Sequence, residues 1–259
     1  MSNRGYADRF GGVGRLYSEE GLLRLKQAHV CIVGVGGVGS WAAEALARSG
    51  LGRITLIDSD EVCITNINRQ LHALDADIGR SKVDVMAERI SRINPECTVT
   101  ALNRFFVPGT AEDILALNPD CFIDAIDNLP NKALLLARCR DLKIPVFSSG
   151  GAGGRRDPSQ IQVADLAKTH GDPLLASLRK QLRANYRFPR DPRRKFGITC
   201  VFSAEPLHFP WKNGEVCSSK EAGESLRLNC QSGFGTASFV TGTFGFQLAA
   251  CAVERLANI

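Results

Sequence analysis

Apolar and polar positions follow two rhythms along this chain, and their succession predicts a repeated strand–helix unit. Residues 29–33 form a short apolar run that ends in glycines, and residues 41–49 follow with helical composition, so the segment reads as strand, glycine turn, helix. Residues 53–58 read as the next parallel strand. Residues 78–93 are amphipathic with helical spacing and stop at Asn94-Pro95, while residues 98–102 alternate like a strand. A strand at 120–124, a helix at 130–142 and a strand at 145–149 complete the pattern. Such alternation predicts an α/β fold: a mostly parallel sheet, helices on both faces and a ligand at the carboxyl ends of the strands.

Past the glycine-rich run Gly150-Gly151-Ala152-Gly153-Gly154 the alternation breaks down. Residues 160–164 and 199–203 look like strands flanking a basic segment, which predicts a smaller, irregular C-terminal lobe. Residues 231–253 carry no charge, a length that can span a bilayer. The side chains of Ser232, Thr236, Ser238, Thr241, Thr243 and Gln247, the lack of a flanking basic cluster and four glycines that favour close helix packing instead predict a helix buried in the protein, with no stable membrane insertion and at most a membrane association through 231–253.

Composition narrows the class. With 259 residues, 44% hydrophobic and 23% charged, the chain has neither the polar bias of disorder nor a charged tail. Residues 1–15 hold no apolar run, so no secretory signal is read there, and a cytoplasmic location is expected. The nine cysteines are odd in number and form no Cys-x-x-Cys pair, which predicts reduced thiols and no structural zinc. The net charge of +5 is unevenly placed: residues 168–195 hold nine basic side chains against Asp172 and Asp191, a balance of +7 that leaves −2 for the rest. Arg179, Lys180, Arg183, Arg187, Arg190, Arg193, Arg194 and Lys195, interleaved with Tyr186 and Phe188, are what a phosphate backbone would attract, with the aromatics available to stack on bases.

The candidate chemistry begins at Gly34-Val35-Gly36-Gly37-Val38-Gly39, the place where a Rossmann-like fold puts its phosphate turn. Glycines at 34, 36, 37 and 39 let the backbone approach phosphates, and the following helix directs its positive end there. Asp58, at the end of the second strand, is placed to accept ribose hydroxyls. To this point an NAD dehydrogenase fits equally well. Asp60, Asn66, Asn68, Arg69, Gln70 and Lys82 then supply a cationic, amide-rich surface, which suits attack at an ATP phosphorus, where several donors must bear the developing charge. Asp127-Asn128, just past the fourth strand, adds a carboxylate able to hold Mg²⁺ against the phosphates.

Taken together, Gly34 to Gly39, Asp58, Asn68-Arg69-Gln70, Gly79-x-x-Lys82 and Asp127-Asn128 resemble the ThiF/MoeB/HesA family of adenylating enzymes, in the family's order over roughly residues 9–165. The resemblance implies ATP and Mg²⁺ as cofactors, Asp127 as the catalytic residue that helps position Mg²⁺, and Arg69 and Lys82 as holders of the ATP phosphates. It also implies a homodimer in which an N-terminal arginine, here Arg9, reaches the partner's ATP. Its organisation would be a helical arm at 1–28, a Rossmann-like ATP-binding adenylation domain at 29–165, and a basic segment and C-terminal lobe at 166–259, packed as one unit.

A closer resemblance spans nearly the whole chain. Arg9-Phe10-Gly11-Gly12, residues 36–48, the run Gly150-Gly151-Ala152-Gly153-Gly154, Asp165-Leu166-Ala167-Lys168-Thr169 and Ser232-Gly233-Phe234-Gly235 are similar to the branch that adenylates a carboxylate on a modified tRNA adenosine beside the anticodon, after which a ring closes. A sulfur-relay protein is a further partner that this branch leaves open. The main rival is an activator of a ubiquitin-like or sulfur-carrier protein, with Cys200 or Cys217 as its candidate thiol; the missing zinc pairs and the basic segment count against it. A non-catalytic nucleotide- or tRNA-binding module would leave the phosphate and metal residues without a task.

Overall fold

The computed structural model describes residues 4–191, 193–219 and 234–258. Helix α1 (Arg4–Gln27) leads into β1 (His29–Val33), α2 (Gly39–Arg48), β2 (Arg53–Asp58), α3 (Lys82–Ile93), β3 (Thr98–Asn103), α4 (Ala111–Leu115), β4 (Cys121–Asp124), α5 (Leu129–Leu142) and β5 (Val146–Ser149). Then come β6 (Ile161–Asp165), α6 (Pro173–Asn185), β7 (Thr199–Ser203), a small pair β8 (Phe209–Pro210) and β9 (Val216–Cys217), and α7 (Ser238–Ala257).

Seven strands form one sheet in the order β3-β2-β1-β4-β5-β7-β6, parallel throughout except that β6 runs antiparallel to β7. The strands at the start of the irregular part therefore extend the main sheet. Because side chains alternate across a strand, β1 feeds two cores. Val30 and Ile32 meet Leu25, Leu46, Met86 and Phe244 on the face covered by α1, α2, α3 and α7, whereas Cys31 and Val33 meet Ile114, Leu135, Leu136 and Leu178 on the face covered by α4, α5 and α6. Phe244 is fully buried, so truncating it to alanine would cost about 3–5 kcal/mol.

The uncharged C-terminal stretch becomes α7, packed across α2 as glycine spacing suggested. A Cβ at Gly245 would lie 2.6 Å from the Val38 carbonyl and 2.8 Å from the Ala42 nitrogen, so only glycine permits this approach. No helix among the described residues is long and apolar enough to cross a membrane; residues 231–233 lie outside the described residues.

Two local expectations change. The amphipathic run at 78–93 becomes helical only at Lys82, because Gly79 takes a φ of +84° and the preceding segment folds into short 3-10 turns at Ile64–Asn66 and Asp75–Asp77. Within the basic segment stands a regular helix, α6: the Asp172 side chain accepts from the Leu175 N–H at 2.9 Å, Pro173 opens the first turn, and Leu175, Leu178 and Leu182 are buried at helical spacing.

Candidate functional site

The sheet's order reverses at β1 and β4, and the glycine turn after β1 lies against the segment after β4. Gly34 adopts a φ of +91°, and a Cβ there would sit 2.7 Å from the Ala125 carbonyl. A Cβ at Gly39 would fall 1.9 Å from the Gly34 carbonyl, so the turn closes on itself only without side chains. Val38 makes no side-chain cap to α2; the Ser40 N–H donates to the Gly36 carbonyl at 3.2 Å, and the positive end of the helix faces the turn.

Asp58, almost fully buried, braces this turn from behind. One carboxylate oxygen accepts the Val35 N–H at 2.7 Å and the other the Asp60 N–H at 2.9 Å. Burial raises its pKa above the usual carboxylate range, against the opposing pull of those hydrogen bonds and of Lys82. Each oxygen keeps a free lone pair, which is compatible with ribose hydroxyls. Lys82, the first residue of α3, reaches the exposed Asp60 carboxylate at 2.8 Å although its own side chain is only 6% exposed.

The stretch 66–70 lies over the turn. The Asn66 side chain is buried and accepts the Cys63 N–H at 3.1 Å, so it shapes the loop. Asn68 donates to the Thr236 carbonyl at 2.9 Å, tying the loop to the segment before α7. The Arg69 carbonyl is fixed by Trp41 Nε1 at 3.0 Å and Thr241 Oγ1 at 3.2 Å. Its side-chain stem lies 3.4 Å from the position of a Cβ on Gly37, and its guanidinium donates to the Thr65 carbonyl at 2.6 Å. Gln70 is buried beside Gly36, with Oε1 unpartnered among the described residues.

Residues 125–128 complete the site. Asp127 is exposed and makes no hydrogen bond or ion pair among the described residues, while the Asn128 side chain accepts the Asn131 N–H at 3.2 Å and caps α5. Beneath them lies a device the sequence reading did not single out. Asp124 and Lys132 form an ion pair at 2.8 Å, both fully buried. Ser148 donates to the same Asp124 oxygen at 2.6 Å, the other Asp124 oxygen accepts the Ile126 N–H at 3.1 Å, and Lys132 donates to the Ile126 carbonyl at 3.1 Å. Both sides of Ile126 are thus pinned one residue before Asp127. The signal in sequence was Asp124 itself, a carboxylate closing an otherwise apolar strand.

Arg9 lies elsewhere. Tyr6 donates its hydroxyl to the Gly50 carbonyl and stacks with Phe10, which anchors this turn of α1 at the far end of α2 from the glycine turn. A ten-residue helix is about 15 Å long. Arg9, exposed and donating to the Gly5 carbonyl at 3.2 Å, is therefore remote from its own chain's turn.

The basic run divides in two. Lys180, Arg187, Arg190, Arg193, Arg194 and Lys195 are exposed, with Arg193 paired to Asp191 at 3.1 Å. Arg179 is partly buried and donates to Thr169 Oγ1, and Arg183 donates to the Pro189 carbonyl at 3.1 Å. The stacking role expected for the aromatics fails for Phe188: it is 2% exposed, packed on Phe196 at 4.9 Å beneath the Arg140 guanidinium, while Tyr186 is half-buried against the same core. Cys200 is fully buried with its thiol pushed up to about 12 by burial, so it is no transfer nucleophile. Among the described residues no group of three or more His, Cys, Asp or Glu side chains could hold a metal.

Comparison with known proteins shows the family and the fold. The ThiF family model matches residues 13–258. The tRNA threonylcarbamoyladenosine dehydratase of Haemophilus influenzae is 52% identical over 251 residues, covering 97% of this chain and 94% of that protein. That of Escherichia coli is 50% identical, covering 97% and 94%. The solved structure of the Escherichia coli tRNA N6-threonylcarbamoyladenosine dehydratase in complex with ATP superposes with a TM-score of 0.87 at 47% identity, over 99% of this chain and 96% of that one.

Proposed function

This chain belongs to the ThiF family, within the tRNA threonylcarbamoyladenosine dehydratases, and we propose that it closes the ring of N6-threonylcarbamoyladenosine in tRNA with the residues gathered at the ends of β1 and β4. It is an ATP-using adenylating enzyme. A carboxylate oxygen of the modified nucleoside attacks the α-phosphorus, forming one P–O bond as the bond to pyrophosphate breaks. The neighbouring carbamoyl group then attacks the activated acyl carbon and AMP leaves, carrying the oxygen whose loss makes the overall change a dehydration. The second step is intramolecular and gains from proximity, so no enzyme nucleophile is required.

The arrangement that carries this reading is the glycine turn braced by Asp58, with Arg69 on one side and Asp127 on the other. The turn and the first N–H groups of α2 receive the phosphates. Arg69 and Lys82 offset charge on the leaving pyrophosphate; their contacts with Thr65 and Asp60 hold them ready to be redirected to phosphate oxygens. Asp58 orients the ribose, and Asp60, Asn66, Asn68, Gln70 and Asn128 shape the surrounding wall.

A Mg²⁺ ion fits this site, because such ions are held by one or two carboxylates plus substrate phosphates, and Asp127 offers an exposed carboxylate, unengaged among the described residues, beside the phosphate turn. Bound there, it supplies further positive charge to the phosphate oxygens. The remoteness of Arg9 from its own turn supports a homodimer in which it serves the partner's ATP. The six exposed members of the basic run are the tRNA contacts, with Arg179 and Arg183 acting as their internal supports. A cytoplasmic site of action fits a tRNA substrate, and a sulfur-relay protein would be a third participant.

Nucleoside mass spectrometry tests the reaction: with ATP, tRNA carrying N6-threonylcarbamoyladenosine should lose the mass of one water at that nucleoside. An unchanged nucleoside, with AMP transferred instead to a carrier protein's carboxyl terminus, would replace this reading by the rival.

A further inference from the structure

Between α2 and α3 lies a cleft of about 270 Å³. Four arginines line it, Arg48, Arg80, Arg89 and Arg92, against two acidic groups, Asp77 and Glu88. Glu44, behind the wall, takes one donor from Arg48 at 2.8 Å and two from Arg89 at 2.7 and 3.0 Å. Arg80 pairs with Asp77 at 2.7 Å and with Glu88. Each guanidinium has five N–H donors, so most remain available, and Arg92 is exposed and forms no ion pair among the described residues.

His72 also lines the cleft. It is 1% exposed, and neither ring nitrogen has a hydrogen-bond partner among the described residues. A buried imidazole left this way costs free energy unless something in the cleft answers it. Burial, with help from Lys82 and Arg89, lowers its pKa to about 4, so at neutral pH the ring is uncharged and offers one N–H donor and one lone pair. None of the lining residues belongs to the glycine turn, the 125–128 loop or the Lys82–Asp60 pair.

We propose that this cleft is a second anion site that binds a phosphate group, with His72 at its floor and Arg92, unpaired among the described residues, at its rim. Guanidinium forks match the oxygens of a phosphate, and the neutral ring can donate to one of them. The phosphate has two possible sources, a small phosphorylated or inorganic ion and the phosphodiester backbone of RNA. Either extends the protein's anion recognition to residues outside the reaction centre.

The test follows the ring resonances of His72 by nitrogen–proton NMR, assigned with His72→Gln, in enzyme whose glycine turn is saturated with a non-hydrolysable ATP analogue. Inorganic phosphate is titrated against chloride at matched ionic strength, and a short unmodified RNA oligonucleotide is titrated separately. The proposal expects a saturable shift of His72, weakened about tenfold or more in Arg92→Gln, a surface change that leaves thermal unfolding unaltered. A shift with phosphate alone assigns a small ion; a shift with the oligonucleotide assigns the RNA backbone. No saturable shift with either probe, or equal affinity in Arg92→Gln, overturns it.

Discussion

Replacing Lys132 by methionine removes the ammonium from a fully buried pair while keeping most of the side chain's volume. Asp124 then keeps only the Ser148 hydroxyl and the Ile126 N–H among the described residues, and its charge is left uncompensated near the buried Cys139 and Cys200 thiols. Breaking a buried pair from one side costs about 3–5 kcal/mol. For a chain of this size each kcal/mol lowers Tm by about 2–4 °C, so the midpoint should fall by about 6–20 °C. The Ile126 carbonyl loses its Lys132 donor as well, so the loop carrying Asp127 should loosen and kcat should drop more than the KM for ATP rises. Pairing the change with Asp124→Asn should recover part of the stability, because the two effects are not additive. Guanidinium unfolding of the four species measures this. A loss under about 1 kcal/mol in Lys132→Met, or full additivity in the double variant, would refute the reasoning.

Other consequences are open to simple assays. Gly39→Ala should destabilise by about 1–3 kcal/mol and abolish tight ATP binding by calorimetry, since the new Cβ meets the Gly34 carbonyl, whereas Gly109→Ala, which meets nothing within 4 Å, should stay within about 0.5 kcal/mol of the parent. Cys63, whose thiol is held below its usual pKa by the Thr65 hydroxyl and backbone N–H groups, should be alkylated by iodoacetamide before Cys121, Cys139 or Cys200, as peptide mass spectrometry would report. Folding lowers the His72 pKa from 6.5 to about 4, so the unfolded chain binds a proton first as pH falls; stability contributed by the neutral ring is complete above about 6.5 and drains away towards pH 4, by on the order of 3 kcal/mol. His72→Gln should flatten that part of the stability–pH curve.

Much of the fold was legible because apolar period and glycine punctuation agree. The apolar run of β1, the turn at Gly34 and the spacing of α5 each point to the same parallel unit, and the residues just past β1, β2 and β4 fall together at the switch point. What stayed hidden depends on pairings made only in three dimensions. Lys132 stands eight positions after Asp124 and meets it only because α5 folds back over the end of β4. Arg155 is likewise buried against Asp172 and the Glu205 carbonyl, partners 17 and 50 positions away that its surroundings in sequence do not suggest. In the basic run charge drew attention from the leucine spacing of α6, and counting Phe188 among exposed aromatics overlooked that an arginine guanidinium and a second ring could cover it.

The central claim is that an adenylation at Asp127's end of the sheet is spent on a modified tRNA nucleoside. AMP release from ATP with Mg²⁺ should be compared for tRNA carrying N6-threonylcarbamoyladenosine and the same tRNA unmodified, with wild-type enzyme and Asp127→Ala. Because Asp127 is exposed and unpaired among the described residues, the variant should fold normally. The account predicts AMP only from wild-type enzyme with modified tRNA; equal release with unmodified tRNA, or undiminished release from Asp127→Ala, would contradict it.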